Sequence, residues 1–171
     1  LAHELGLEGI DFVTLSDTDP RELRKMAEDL GLTVACHTFH ADLDFPAAAD
    51  RQAGVDAAKQ GIENAVILGA PVVMIPTPNR RGIPRDDSRR NIIAGLGNVI
   101  GFANDAGIAL TVENFPGADS PFVTAADFHA ANIVAEWQPT ADVWGHVNLD
   151  PADPNFSAAA CVVAPIDLPN G

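Results

Sequence analysis

The chain has 171 residues, of which 24 are acidic and ten are Lys or Arg, giving a formal net charge of −14. A surface this acidic repels nucleic acid and anionic membranes, so we expect neither as a partner. No apolar run approaches the roughly 20 residues that a membrane-spanning helix requires. The length and the 47% hydrophobic content predict a single domain over residues 1–171 with a sizeable core.

The cysteines and the charged residues bear on the compartment. Cys36 and Cys161 form no CxxC pattern, which argues against a disulfide scaffold or a cysteine zinc site and favours a reducing cytoplasm. Lys occurs only twice while Asp dominates the acids, a balance typical of proteins from salt-loving microbes. An ordinary acidic cytosolic protein is the alternative.

The first residues, LAHELGLEG, resemble the end of a helix that runs into a strand. We therefore expect the chain to begin inside a longer gene product. These residues show no signal-peptide pattern.

The first predicted strand, residues 10–15 (IDFVTL), is followed by a clearly punctuated helix. Asp19 is the predicted N-cap, Pro20 suits the first helical position, and Glu22 completes an Asp-x-x-Glu capping box. Gly31 is expected to end the helix. Four apolar residues of this helix recur at positions i, i+3, i+4 and i+7, which predicts that they form one buried face of the helix. That face consists of Leu23, Met26, Ala27 and Leu30.

Strands and helices then alternate along the chain. We predict strands at residues 32–36, 72–75, 108–112 and 143–149, with one further candidate at 160–166. We predict helices at residues 48–68 and 87–106, and a weaker one that begins near Thr124, where Asp127 completes a capping pattern. The predicted buried side of the 48–68 helix consists of Val55, Ala58, Ile62, Ala65 and Val66.

Such alternation predicts an α/β fold with a parallel sheet and helices packed outside it. We expect a partial TIM-type (β/α) barrel with five to six of the eight strands, because a complete barrel needs about 250 residues. The first strand and the last two would be missing. An incomplete barrel leaves open sheet edges, which invite pairing with another chain, as in a homo-oligomer.

Functional groups of parallel α/β folds gather at the carboxyl ends of the strands. Glu113 ends one predicted strand and Asp150 ends another. Neighbouring parallel strands lie about 4.8 Å apart, so two such carboxylates could share one hard divalent cation. Alternatively, each acid caps the loop or helix that follows it. The same rule selects several other polar residues: Asp17, His37, His40, Thr77, Asn79, Asn114 and Asp153.

Four segments carry a family resemblance: GLEGIDFVTL, VILGAPVVMIP, ANDAGIALTVENFPG and VNLDPADP. Together they resemble the xylose isomerase-like TIM barrels, over nearly all of residues 1–155. That group includes sugar phosphate isomerases and epimerases, ketose 3-epimerases, hydroxypyruvate isomerases and inosose dehydratases. The resemblance implies an enzyme of carbohydrate metabolism that acts on a small sugar.

The resemblance also implies a divalent metal ion (Mn, Mg, Co or Zn). In the family this ion is held by a Glu, an Asp, a His and a second Glu after successive late strands. The first two carry over to Glu113 and Asp150, while the His and the second Glu have no counterpart in this chain. Glu113 is implied as ligand or catalytic base. The implied reaction is 1,2-proton transfer through an enediolate.

The remaining site residues are expected to contact substrate. His37 is a candidate for catalysis and for binding a substrate hydroxyl, with a satisfied structural histidine as the alternative. Asn114 and Asp153 are candidate substrate contacts, although relatives often have Asn or His where Asp153 stands. Arg81 belongs to a run of five arginines that could bind a phosphate or carboxylate. The alternative for this run is surface pairing with Asp86, Asp87 and other acids.

Three other functions compete with the isomerase or epimerase. A lyase like inosose dehydratase would use the same metal to assist loss of water. A nuclease related to apurinic endonucleases would need more His ligands and a basic face, which the charge of −14 disfavours. A truncated barrel could also be non-catalytic and act only with a partner chain.

Overall fold

The computed structural model describes residues 6–79, 81–113 and 119–130. Four strands lie in these ranges: β1 (Gly9–Val13), β2 (Thr33–Thr38), β3 (Val72–Pro76) and β4 (Ala109–Glu113). Five helices lie there as well: α1 (Pro20–Asp29), α2 (Ala48–Leu68), α3 (Arg85–Gly97), α4 (Ile100–Asp105) and α5 (Ala125–Ala130). In the described part of the chain, no helix is both long and apolar enough to cross a bilayer.

The described strands form one sheet in the order β1-β2-β3-β4, and every neighbouring pair is parallel. This arrangement confirms the predicted alternation of strands and helices around a parallel sheet. The predicted strands 143–149 and 160–166 lie outside the described residues. All four strands therefore end at the same edge of the sheet, where the sequence places its polar candidates.

Helix α1 begins as predicted, but its buried face is narrower. Asp19 Oδ1 accepts a hydrogen bond from the Arg21 amide at 2.9 Å, which confirms the N-cap. Ala27 is buried, but Met26 and Leu30 are 55% and 44% exposed, so the predicted face was partly wrong. Among the described elements α1 packs mainly against α2 and β2, so the side of α1 that carries Met26 and Leu30 is left uncovered.

Helix α2 packs against strands β2 and β3. Its predicted buried residues are confirmed except for Val66, which is 49% exposed because Ala65 and Leu68 take the sheet-facing positions. Gly61 permits the close approach: a Cβ built there would lie 2.4 Å from the ring of Phe39. The Phe39 side chain therefore projects from the sheet towards α2.

The predicted single helix over 87–106 is wrong, because the chain makes two helices there. Asn98 and Val99 donate their amides to Gly95 O and Leu96 O at 3.0 and 2.9 Å, a tighter i to i−3 pattern that ends α3. Val99 is fully buried at the turn. The periodicity of apolar residues persists across this turn, so the pattern alone did not reveal it.

The two faces of the sheet differ in chemistry. Paired residues of parallel strands project to the same face and successive residues alternate. The helix-facing side packs with α2, α3 and α4 into one hydrophobic core. Its sheet residues include Val34, Val73, Ile75, Leu110 and Val112. The opposite side, here called the inner face, carries Asp11, Thr38, Met74, Thr111 and Glu113.

Candidate functional site

Glu113 is the last residue of β4 and lies on the inner face. It pairs in register with Pro76 at the end of β3, while Thr111 pairs with Met74 one step earlier. The Thr77 hydroxyl donates a hydrogen bond to the Glu113 carbonyl oxygen at 3.1 Å. The backbone of Glu113 is therefore held both by its strand and by the loop that follows β3.

The Glu113 side chain is half-buried, and its electrostatics follow from that position. Burial raises the pKa of the Glu113 carboxyl group above its ordinary value, while the positive charge of nearby His40 partly opposes the effect. Desolvation makes the carboxylate costly unless a cation is present. Glu113 thus has the properties of a cation ligand or of a base stronger than an ordinary glutamate.

His40 lies on the same side of the sheet as Glu113. The Phe39 amide donates to Met74 O at 3.1 Å, so the pairing of β2 with β3 continues one residue beyond the strand. His40 is therefore level with Pro76, and thus with Glu113 across β3. Its side chain is exposed. The alternation of side chains from Thr38 is the sequence signal that could have placed His40 on the inner face.

His37 lies on the opposite face, which favours the alternative of a structural histidine. It pairs with Val73, is 1% exposed, and stacks against Phe39 with ring centroids 5.2 Å apart. Its Nδ1 lies 2.7 Å from the Phe12 carbonyl oxygen, so Nδ1 carries the proton and donates it there. Burial lowers the pKa of His37, so the ring is neutral near pH 7. The structure does not bring His37 to Glu113.

Asp11 and Thr38 form a polar pair on the inner face. Asp11 accepts hydrogen bonds from the Thr38 amide at 3.2 Å and from the Thr38 hydroxyl at 2.7 Å. The pair links β1 with β2 near the edge where the strands end. Sequence reasoning gave no role to Thr38, since a threonine in a strand is ordinary.

Arg81 lies at the rim, in the loop after β3. Its guanidinium donates two hydrogen bonds to the Asp42 carboxylate, at 2.8 and 3.2 Å, and stacks 3.6 Å from the centre of the Phe45 ring. These contacts join the loops that follow β2 and β3. Elsewhere in the arginine run, Arg89 pairs with Asp86 and Arg90 pairs with Asp87.

The other predicted site residues, Asn114, Asp150 and Asp153, lie outside the described residues. Within residues 6–79, 81–113 and 119–130, no three His, Cys, Asp or Glu side chains come together as a metal site. The desolvated Glu113 carboxylate nevertheless fits a divalent cation, because an oxygen anion at a protein surface edge is the donor that hard cations prefer. Of the two carboxylates predicted as metal ligands, Glu113 lies in the described residues and Asp150 does not.

A cavity beside the site is too small for a sugar. It lies between the loop after β2 and the end of β3, has a volume of about 20 Å³ and is lined in part by Asp42, Asp44 and Thr77. That space suits about one water molecule. The inner face at the strand ends, where Glu113 lies, is the candidate site on the ground of its position in the sheet.

Comparison with known proteins identifies the fold family. Residues 1–149 match the family model described as xylose isomerase-like TIM barrel. An L-ribulose 3-epimerase is 26% identical, with a TM-score of 0.64 over 75% of this chain and 46% of its own. A D-psicose 3-epimerase solved with D-fructose is 22% identical, with a TM-score of 0.63 over 75% and 50%.

An AP endonuclease of family 2 from Brucella melitensis shares the fold at 16% identity, with a TM-score of 0.62 over 76% of this chain and 54% of its own. The chain spans about half the length of these structures. The matches confirm the predicted fold, a partial TIM-type barrel.

Proposed function

Because this chain belongs to the xylose isomerase-like TIM barrel family, we propose that it serves divalent-metal-dependent isomerisation or epimerisation of a small sugar. The proposal is carried by Glu113, a half-buried carboxylate with a raised pKa at the strand-end edge of the sheet. Two similar structures are a ribulose and a psicose 3-epimerase, which favours a ketose as substrate. A cytoplasmic location and a homo-oligomer remain predictions from the sequence.

The proposed reaction moves one proton. Glu113 takes a proton from the carbon beside the sugar carbonyl, and the electrons of the broken C–H bond form a C=C bond. The carbonyl oxygen takes the negative charge, which gives an enediolate. Delivery of a proton to the opposite face of the same carbon, from water or a second acid on that face, re-forms the carbonyl and epimerises the sugar, while Glu113 releases its proton to solvent. Delivery of the proton to the former carbonyl carbon isomerises the sugar, because the neighbouring hydroxyl then passes its proton to the charged oxygen and becomes the new carbonyl. A carboxylate whose pKa is raised by burial suits this task better than an exposed one.

The proposed metal site combines Glu113 with Asp150. A divalent cation there (Mn, Mg, Co or Zn) would stabilise the negative charge that develops on the substrate oxygens. Glu113 either holds that cation or acts as the base, and both roles use the same inward-facing carboxylate. Asn114, Asp153 and Arg81 are proposed substrate contacts, with Arg81 restricted to the rim by its bonds to Asp42. We no longer propose His37 for the site.

The test is exchange of substrate hydrogen with solvent. The chain is incubated with Mn²⁺ and D-fructose or D-psicose in D₂O, and deuterium in the recovered sugar is measured by mass spectrometry. We expect deuterium at the carbon beside the carbonyl with the native chain and with Glu63→Gln, an exposed control on α2. Glu113→Gln should incorporate none. Equal incorporation by Glu113→Gln would remove the proposal, and an unsaturated product would indicate a lyase.

A further inference from the structure

His40 and Glu113 lie on either side of strand β3 on the inner face. The Phe39 amide donates to Met74 O at 3.1 Å, and Pro76 pairs with Glu113, so His40 is level with Glu113 across β3. Each strand spacing is about 4.8 Å, which puts the two backbones about 10 Å apart. Side chains alternate along a strand, and the Phe39 ring is buried towards the helices. The His40 ring therefore projects to the inner face.

The electrostatics of Glu113 show that the His40 ring is near it. Burial raises the pKa of the Glu113 carboxyl group, and the positive charge of His40 partly opposes this effect. Such an effect of one charge on another weakens with distance. His40 is exposed and Glu113 is half-buried, so both side chains are open to a ligand from the same side of the sheet.

The surface between these two side chains is apolar. Met74 and Pro76 of β3 pair in register with Thr111 and Glu113 of β4 and project to the same face. Binding sites for small molecules commonly combine an apolar lining with a few polar groups that fix orientation. The strand-end part of the inner face has this form, with an apolar floor and one polar side chain on each side.

The loop that follows His40, residues 41–47, is anchored to helix α3. Asp44 is 3% exposed and accepts hydrogen bonds from the Ser88 hydroxyl at 2.7 Å and from Asn91 Nδ2 at 3.0 Å. A buried carboxylate without such donors is costly, so these bonds hold the loop in one course.

Helix α2 holds the same loop from a second side. Arg51 is 8% exposed and donates to Pro46 O at 3.0 Å. A Cβ built on Gly54 would lie 1.9 Å from Asp42 O, so the helix packs directly against the loop backbone there. His40 is thus presented by a backbone that is fixed before a ligand arrives, which lowers the ordering cost of binding.

We propose that His40 is a substrate-binding residue that hydrogen-bonds a sugar hydroxyl opposite Glu113. A neutral imidazole has one donor and one acceptor nitrogen, and a hydroxyl group both donates and accepts, so the two groups match in either direction. With Glu113 at the reacting carbon, a contact across β3 fixes the direction in which the sugar lies. The inference rests on the proposed function of Glu113. It assigns His40 to the sugar and not to the cation.

The test measures sugar binding and metal binding separately. The native chain, His40→Ala, His40→Gln and Gln60→Ala are compared at one pH, the last as a control at an exposed polar position of α2. Deuterium incorporation from D₂O into D-psicose at saturating Mn²⁺ gives the maximal exchange rate and the half-saturating sugar concentration. Electron paramagnetic resonance gives the Mn²⁺ affinity, and unfolding by denaturant shows that each variant is folded.

For His40→Ala we expect the half-saturating D-psicose concentration to rise about fivefold or more, since one hydrogen bond to the sugar is lost. The maximal exchange rate should change less, because the contact is made before and during the reaction. Mn²⁺ affinity should stay within about twofold of the native value. His40→Gln should recover part of the sugar binding, because a carboxamide also donates and accepts. Gln60→Ala should match the native chain.

Two results would overturn the inference while leaving the proposed function intact. One is native sugar saturation by His40→Ala, which would mean that the ring does not touch the sugar. The other is a fall in Mn²⁺ affinity as large as that caused by Glu113→Gln, which would make His40 a cation ligand. A native chain that neither binds Mn²⁺ nor exchanges hydrogen removes the proposed function, and the role of His40 with it.

Discussion

His37 and Glu113 lie on opposite faces of the same parallel sheet, although each stands at or near the carboxyl end of its strand. His37 pairs with Val73 and faces the helices, whereas Glu113 pairs with Pro76 and belongs to the inner face with Thr111. Position along a strand selects the edge of the sheet, but alternation selects the face. Glu113 therefore faces the proposed site, and His37 faces away from it.

The first prediction concerns His37 as a structural residue. His37→Ala removes a ring that is 1% exposed and leaves the Phe12 carbonyl without its donor, so we expect a loss of about 2–5 kcal/mol in the free energy of unfolding. Mn²⁺ affinity of the folded variant should be unchanged. The exposed His40→Ala is the control and should cost less than about 1 kcal/mol.

The pH dependence of His37 gives a second readout of the same role. Burial places its pKa in the folded state below the ordinary value of 6.5, so the unfolded chain takes up the proton first as pH falls. The contribution of His37 is complete above about pH 6.5 and is lost as pH falls towards the folded-state pKa. Between pH 5 and pH 7.5, the free energy of unfolding should change less with pH for His37→Ala than for His40→Ala. Equal slopes would contradict a buried neutral ring.

Much of the fold was predictable because each element has local signals. Asp19 and Pro20 begin α1, Gly69 ends α2 in a left-handed conformation, and apolar runs mark the strands. The inner and helix-facing sides were harder to assign. Register is interrupted between Ile10 and Asp11, where β2 carries an extra residue, so faces cannot be counted through from one strand to the next.

The candidate site was only partly predictable for a related reason. Glu113 follows an apolar strand, and strand ends are where parallel folds place chemistry, so its position was derivable. Long-range contacts near the strand-end edge were not derivable: Asp127 bonds Arg85 and Arg89, which lie 42 and 38 positions away, and no local pattern encodes such pairs. Only the capping pattern of Asp127 with Thr124 was visible in the sequence.

The second prediction concerns the charge of Glu113. Its pKa is raised in the folded state, so the folded chain binds the proton more tightly and loses stability as pH rises from about 4.5 through the folded-state pKa. Glu113→Gln should therefore be slightly more stable than the native chain at pH 7, by less than about 1 kcal/mol, and this difference should vanish below pH 4. Denaturant unfolding at both pH values measures it.

An added divalent cation should reverse the order of stability, so that the native chain becomes more stable than Glu113→Gln. Mn²⁺ at 100 times its dissociation constant would stabilise the native chain by about 2.7 kcal/mol and leave Glu113→Gln unaffected. Glu63→Gln, with the same chemical change on an exposed helix position, should behave like the native chain in both conditions. If Glu113→Gln responds to Mn²⁺ as the native chain does, Glu113 is not a ligand.

The third prediction concerns the contact between α2 and the sheet. A Cβ at Gly61 would lie 2.4–2.5 Å from three atoms of the Phe39 ring, so Gly61→Ala should cost about 1–3 kcal/mol through overpacking. Gly101→Ala is the control, because nothing lies within 4 Å of its added Cβ in α4. That change should be neutral or stabilising by up to about 1 kcal/mol. The double variant Gly61→Ala with Phe39→Leu should regain part of the lost stability. If it regains none, the Phe39 ring is not the cause of the loss.

The fourth prediction concerns Asp44, which ties the loop after β2 to α3. Asp44 is 3% exposed and accepts hydrogen bonds from the Ser88 hydroxyl at 2.7 Å and from Asn91 Nδ2 at 3.0 Å. Asp44→Ala leaves the fully buried Ser88 hydroxyl without its acceptor, so we expect the free energy of unfolding to fall by about 2–4 kcal/mol.

The matched control for Asp44 is Asp56→Ala, which removes an exposed carboxylate that accepts one hydrogen bond from Gln52 on the same helix. This change should stay within about 0.5 kcal/mol of the native chain, because exposed polar contacts exchange readily with water. The double variant Asp44→Ala with Ser88→Ala should lose less than the sum of the two single losses, since both changes break the same bond. Additive losses would mean that the Asp44–Ser88 contact does not hold the loop against α3.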